Sequence, residues 1–163
     1  ADDRFILKRD PDFITSINTS LKFKGFDFYM DWYMVSGGVK LNQYLYAANQ
    51  GGSLQGKLNG IKVNYWTPSN PSNEFPRPSF NSNAAHQNAL CYQDASYVRL
   101  RTLTLGYTIP DKALSALGVS NLRLAFTATN LLTFMDYLSY SPEFSAGGYP
   151  EPRQYVFSLS LKF

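Results

Sequence analysis

The sequence predicts an all-β protein whose antiparallel strands form part of a large transmembrane β-barrel. Three observations point there. Five segments alternate apolar and polar residues with a period of two, each over about eleven residues. The connections between them alternate between short and long. Aromatic residues make up 16% of the 163 residues and charged residues only 17%, against roughly 25% charged in a soluble domain.

Composition excludes several classes. A disordered chain needs few aromatics and much charge. A coiled coil needs an excess of Ala, Glu, Lys and Leu. No run of about 18 apolar residues offers a membrane-spanning helix. The net charge of +3 comes from scattered residues, so no nucleic-acid footprint is expected. A lone cysteine, Cys91, cannot form a disulfide within the chain, and the single His86 has no companion for a metal site. No nucleophile–base arrangement or phosphate-cradling glycine loop occurs. The reading is therefore not an enzyme, with no catalytic, cofactor or metal residues. The opening Ala1-Asp2-Asp3-Arg4 lacks a signal-peptide pattern, so either a signal was removed or the chain is a piece of something longer.

The first segment, 13–23, sets Phe13, Ile17, Leu21 and Phe23 against Ser16, Asn18, Ser20 and Lys22. The second, 26–36, sets Phe26, Phe28, Met30, Trp32 and Met34 against Asp27, Tyr29, Asp31 and Tyr33. Lys24-Gly25 between them is a two-residue hairpin connection. The third, 97–108, changes parity: Val98 and Leu100 give way to Leu103, Leu105 and Tyr107. An apolar face kept throughout requires an extra residue near Arg101-Thr102, a β-bulge. The fourth, 121–130, carries Leu122, Leu124, Phe126 and Ala128 on one face; the fifth, 153–163, carries Tyr155, Phe157, Leu159, Leu161 and Phe163.

Residues 37–96 and 131–152 are long connections, and Val39 to Tyr46 offers one further strand at best. Residues 109–120 are compact, with two helical turns expected between Pro110 and Gly118. Short turns at one end and long loops at the other, with about 10 alternating residues per strand, mark an outer-membrane barrel. A soluble antiparallel sheet packed on a core also alternates. Strands longer than the usual 5–6 residues and aromatics at both ends, Phe23, Phe26, Tyr107 and Phe163 against Phe13, Trp32, Tyr97 and Tyr155, favour the membrane wall with its aromatic girdles. The retained alternative is a soluble carbohydrate-binding β-sandwich using loop aromatics.

The stretch Asp94-Ala95-Ser96-Tyr97-Val98-Arg99-Leu100 through Leu105-Gly106-Tyr107 resembles a segment near the end of SusC/RagA-type TonB-dependent transporters. The likeness continues in Asn130-Leu131-Leu132-Thr133-Phe134, Gly148-Tyr149-Pro150-Glu151-Pro152-Arg153 and Leu161-Lys162-Phe163. Upstream, Asp10-Pro11-Asp12-Phe13, Lys24-Gly25-Phe26-Asp27, Tyr65-Trp66-Thr67-Pro68, Asn70-Pro71 and Pro76-Arg77-Pro78 follow the same family in order. Ser141 departs from the family's usual Asp. The resemblance implies the C-terminal part of a barrel similar to one of 22 strands with an N-terminal plug. Five strands cannot close it, and open sheet edges are forbidden in lipid.

That resemblance implies nutrient import, of oligosaccharide or peptide, through the outer membrane of a Gram-negative, Bacteroidota-like bacterium. The implied partners are a SusD-like surface lipoprotein, TonB acting through parts outside this chain, the barrel-assembly machinery and outer-membrane lipid. Loops 37–96 and 131–152 would be extracellular, and turns 24–25 and 109–120 periplasmic. Leu122, Leu124, Phe126, Phe157, Leu159 and Leu161 would face lipid. Asp27, Asp31, Arg99, Arg101 and Arg123 would be lumen charges, and Tyr65, Trp66, Tyr29 and Tyr33 are candidate substrate contacts. Tyr155, Phe157, Leu159, Leu161 and Phe163 would form the C-terminal assembly signal.

Overall fold

The computed structural model describes residues 6–43, 45–46, 64–77, 87–114, 118–143 and 149–163. Pro78, His86, Gly148 and residues 115–117 lie outside them. Seven strands occur among the described residues: β1 (Phe13–Phe23), β2 (Phe26–Ser36), β3 (Val39–Leu41), β4 (Tyr92–Asp94), β5 (Tyr97–Thr108), β6 (Asn121–Met135) and β7 (Gln154–Lys162). The chain divides into two compact units.

The strand unit comprises Phe13–Val35, Tyr97–Met135 and Glu151–Phe163. It is one five-stranded sheet in the order β1-β2-β5-β6-β7. The ladders joining β2, β5, β6 and β7 are antiparallel. β1 turns into β2 through Lys24 (φ 46) and Gly25 (φ 87), both left-handed, as a tight two-residue hairpin needs. Only glycine fits the second place: a Cβ on Gly25 would sit 2.6 Å from the Thr108 carbonyl oxygen.

The parity change in β5 is a bulge, and it widens across the sheet. The same step along the apolar face spans Met30 to Trp32 on β2, Leu103 to Leu100 on β5, and Ala128 to Leu132 on β6. Arg101 is the extra residue on β5. On β6 the extra length falls at Asn130-Leu131, with Asn130 at φ 52. This corrects the expected end of the fourth strand. β6 continues to Met135 rather than stopping at Asn130, because a bulge interrupts the alternation without ending the ladder. Two smaller expectations also change. Among the described residues, only Val39–Leu41 of the 39–46 stretch is strand, and the compact connection holds a single helical turn, Asp111–Leu114.

The loop unit comprises Ala1–Asp12, Ser36–Ser96 and Asp136–Pro150. β3 and β4 pair antiparallel in it, and a 3-10 turn over Gln87–Cys91 leads into β4. Its core is Leu45, Phe75 and Cys91, with Leu41, Tyr46 and Tyr65 packed against them. Described parts of both long connections, 37–96 and 131–152, thus belong to one compact unit.

Candidate functional site

The strand unit has two chemically distinct faces, fixed by register. On the apolar face, cross-strand rows join Phe26, Tyr107, Leu124 and Leu159, then Phe28, Leu105, Phe126 and Phe157. The ring centres of Phe26 and Tyr107 lie 4.4 Å apart and those of Phe126 and Phe157 4.9 Å, both pairs tilted. This face is open: Phe26 is 61% exposed, Phe157 81% and Leu159 61%. A monomeric soluble protein rarely shows so large a contiguous apolar surface.

The polar face carries the lumen-charge candidates, and each arginine has a different setting. Arg123 on β6 reaches across β5 to Asp27 on β2. Its Nη2 donates to Asp27 Oδ2 at 2.6 Å and its Nε to Oδ1 at 3.2 Å. Two donors on two acceptors hold the planar guanidinium in one orientation. Arg101, the bulge residue, sets its guanidinium carbon 3.2 Å from the centre of the Tyr33 ring. Arg99 is buried, 3% exposed. Its Nε donates to Thr133 Oγ1 at 3.1 Å, and its Nη2 stands 3.6 Å from Glu151. Asp31 has one buried carboxylate oxygen with no hydrogen-bond partner. Tyr29 donates to Asn18 at 3.3 Å.

In the loop unit, Asn42 is fully buried and joins three chain segments. Its Nδ2 donates to Gln93 Oε1 and to the Leu138 carbonyl, both at 2.9 Å. Its Oδ1 accepts the Leu45 N–H at 3.2 Å. Gln93 Oε1 also accepts the Leu138 N–H at 3.1 Å, and Lys40 Nζ donates to the Pro142 carbonyl at 2.6 Å. The Asp94-Ala95-Ser96 motif has a local reason too. Asp94 Oδ1 accepts from both the N–H and the hydroxyl of Ser96, and Ser96 Oγ accepts the Gly37 N–H at 2.8 Å. An Asx-type turn therefore ties the end of β4 to the start of β3.

The Tyr65-Trp66-Thr67-Pro68 motif folds as a small clip. The Trp66 N–H donates to the Phe75 carbonyl at 2.9 Å, and Thr67 and Asn70 exchange backbone hydrogen bonds around Pro68-Ser69. Asn70 Nδ2 donates to Asn64 Oδ1 and the Tyr65 carbonyl. The two aromatics at its base diverge. Tyr65 packs on Phe75 with centroids 6.4 Å apart, and burial pushes its phenol pKa up. Trp66 points out, 38% exposed. The same burial raises the pKa of Tyr137, whose hydroxyl reaches the Leu41 carbonyl, and of the Cys91 thiol.

The four substrate-contact candidates fall in separate units: Tyr29 and Tyr33 on the sheet, Tyr65 and Trp66 in the loop unit. Tyr65 is committed to the loop core, which leaves Trp66 as the presented aromatic of that pair. The terminal set, Tyr155, Phe157, Leu159, Leu161 and Phe163, is exposed throughout. Sequence reasoning did not find the Asp27–Arg123 pair or the Asn42 hub. No local pattern marks either, since their partners lie 51 to 96 residues away.

An antiparallel sheet whose outer strands β1 and β7 have free edges among the described residues, apolar and exposed on one face and charged on the other, is a section of transmembrane barrel wall. No family model matches the chain. Two curated proteins of Formosa agariphila are similar over its whole length: TonB-dependent receptor P3 at 31% identity and TonB-dependent receptor P26 at 28%. Among solved structures, the RagAB peptide importer in its open-open state matches 98% of the chain with a TM-score of 0.73 and 26% identity. The closed-closed state matches 94% with a TM-score of 0.70 and 27% identity. The chain spans only 17% and 18% of the two curated relatives. It belongs to the TonB-dependent receptors of the SusC/RagA type and makes up part of the barrel.

Proposed function

We propose that this chain supplies the last strands and two extracellular loops of an outer-membrane transporter in a Bacteroidota-like bacterium. The whole protein imports oligosaccharide or peptide, is driven by TonB through parts outside this chain, and works with a SusD-like lipoprotein at its outer mouth. The observation that carries this reading is the exposed apolar face of a sheet with both edges open. Such a sheet is stable only where lipid covers the face and further strands cover the edges. The similarity to a peptide importer across nearly the full chain supports the same reading.

In this orientation the rows through Leu124 and Phe126 face lipid, and Asp27, Asp31, Arg99, Arg101 and Arg123 face the lumen. The loop unit is extracellular, while Lys24-Gly25 and residues 109–120 are periplasmic. Tyr29 and Tyr33 line the lumen, and Trp66 offers an aromatic surface to sugar or peptide at the mouth. The exposed alternate residues from Tyr155 to Phe163 serve the barrel-assembly machinery.

Fractionation of cells expressing the full-length protein tests the proposal. The protein should pellet with outer membranes and leave them only in detergent. Recovery as a detergent-free soluble monomer would sink it in favour of a soluble β-sandwich.

A further inference from the structure

At the hairpin end of the strand unit an apolar groove meets a basic rim. The groove, about 570 Å³, crosses the apolar face obliquely. One wall is the Phe26–Tyr107 pair on β2 and β5. The other is the Phe126–Phe157 pair on β6 and β7, one row further from the hairpin. Leu105 and Leu124 lie between them, each about half exposed. Aromatic pairs that pack on each other keep the walls apart, so the groove is a property of the sheet rather than of one flexible side chain.

The rim adds charge. Lys24 Nζ stands 5.2 Å from the centre of the Phe23 ring, and Phe23 shares the apolar face with Phe26 across the hairpin. Lys22, Lys162 and Arg123 lie at the same end of the sheet but on its polar face. Asp27, on that polar face, is engaged by Arg123, so Lys24 supplies the positive charge beside the groove. An acyl chain suits the groove, and a net-negative headgroup suits the rim.

We propose that the groove and Lys24 form a specific site for an anionic glycerophospholipid. One acyl chain lies between the two aromatic pairs over Leu105 and Leu124, with the phosphate at Lys24. The site rests on the reading that the apolar face meets lipid. Bulk lipid would cover that face whatever its headgroup; the basic rim adds a preference for charge.

The test uses the full-length protein in a non-ionic detergent, titrated with phosphatidylglycerol or phosphatidylcholine of matched acyl chains. Bound lipid is counted by native mass spectrometry. Phosphatidylglycerol should be retained in preference, and Lys24→Gln should weaken it about fivefold while leaving phosphatidylcholine unchanged. Leu124→Trp, which fills the groove, should weaken both. Equal retention of the two lipids, or no effect of Lys24→Gln, overturns the site. A parallel Phe126→Cys variant in intact outer membranes separates this from failure of the membrane reading. Rapid reaction with a water-soluble maleimide shows that the face is wet, and the parent reading then falls as well. Protection without lipid preference removes only the specific site.

Discussion

Asp27 on β2 and Arg123 on β6 meet over Gly106 of the intervening β5, although 96 residues separate them in sequence. The glycine is what lets them meet. A Cβ there would lie 2.3 Å from Asp27 Oδ1 and 2.6 Å from Arg123 Nη2. Gly106→Ala should therefore destabilise the barrel by about 1–3 kcal/mol, the usual cost of forcing atoms into filled space. Asp27→Ala should cost less, about 1 kcal/mol, because Arg123 remains partly solvated. Thermal unfolding of the full-length protein in detergent ranks the two, and an innocuous Gly106→Ala would contradict the close packing.

Leu124 lies in a four-residue apolar row on the face assigned to lipid. Leu124→Arg should cost about 2–4 kcal/mol if the residue sits at the bilayer midplane, and less nearer the interface. The same change at Ala125, whose parity places it on the polar face, should be far milder. An unchanged melting profile for Leu124→Arg counts against the face assignment.

Asn42 is fully buried, and its amide hydrogen-bonds with residues on three chain segments. Asn42→Ala strands the Leu45 N–H, the Leu138 carbonyl and a lone pair of Gln93, at about 1–3 kcal/mol for each group left unsatisfied. Limited proteolysis should then cut faster within the loop unit while the strands keep their resistance. Equal protection of Asn42→Ala and the unaltered protein would show that the hub is dispensable.

Cys91 is completely buried, and burial raises its thiol pKa above the ordinary 9.0. The folded loop unit holds that proton more tightly than the unfolded chain does. Its contribution to stability is therefore whole below about pH 9 and declines as pH rises through the folded pKa. At neutral pH the thiol should react with a maleimide only after denaturation. Fast labelling of the native protein would refute the buried placement.

Trp66 is held by a hydrogen-bonded clip and points outward, whereas Tyr65 points into the core. Trp66→Ala should weaken saccharide or peptide binding about fivefold, in line with the loss of one aromatic contact, and leave stability nearly unchanged. Tyr65→Ala should do the reverse. Calorimetric titration together with thermal melts separates the two roles, and unchanged binding in Trp66→Ala would end the case for a substrate contact there.

Strand length, the two faces and the hairpin at Lys24-Gly25 were legible in the chain because they follow from backbone geometry. Side chains on a strand alternate with a period of two, and a left-handed two-residue turn calls for glycine. The parity break at Arg101 announced a bulge for the same reason. The extension of β6 past Asn130 was not legible. Two extra residues leave the parity of Leu132 and Phe134 unchanged and look like the end of the alternation.

The sequence by itself determined which residues share a face and that one face is too apolar for water. Its ordered motifs also placed it among the TonB-dependent receptors. Only the tertiary structure decided that Arg123 clamps Asp27 above Gly106, that Asn42 fuses two distant loops, and that Trp66 rather than Tyr65 is presented. These depend on strand register and on contacts between segments far apart in the chain. A period of two constrains neighbours along one strand, but it says nothing about which residue of another strand comes to lie alongside.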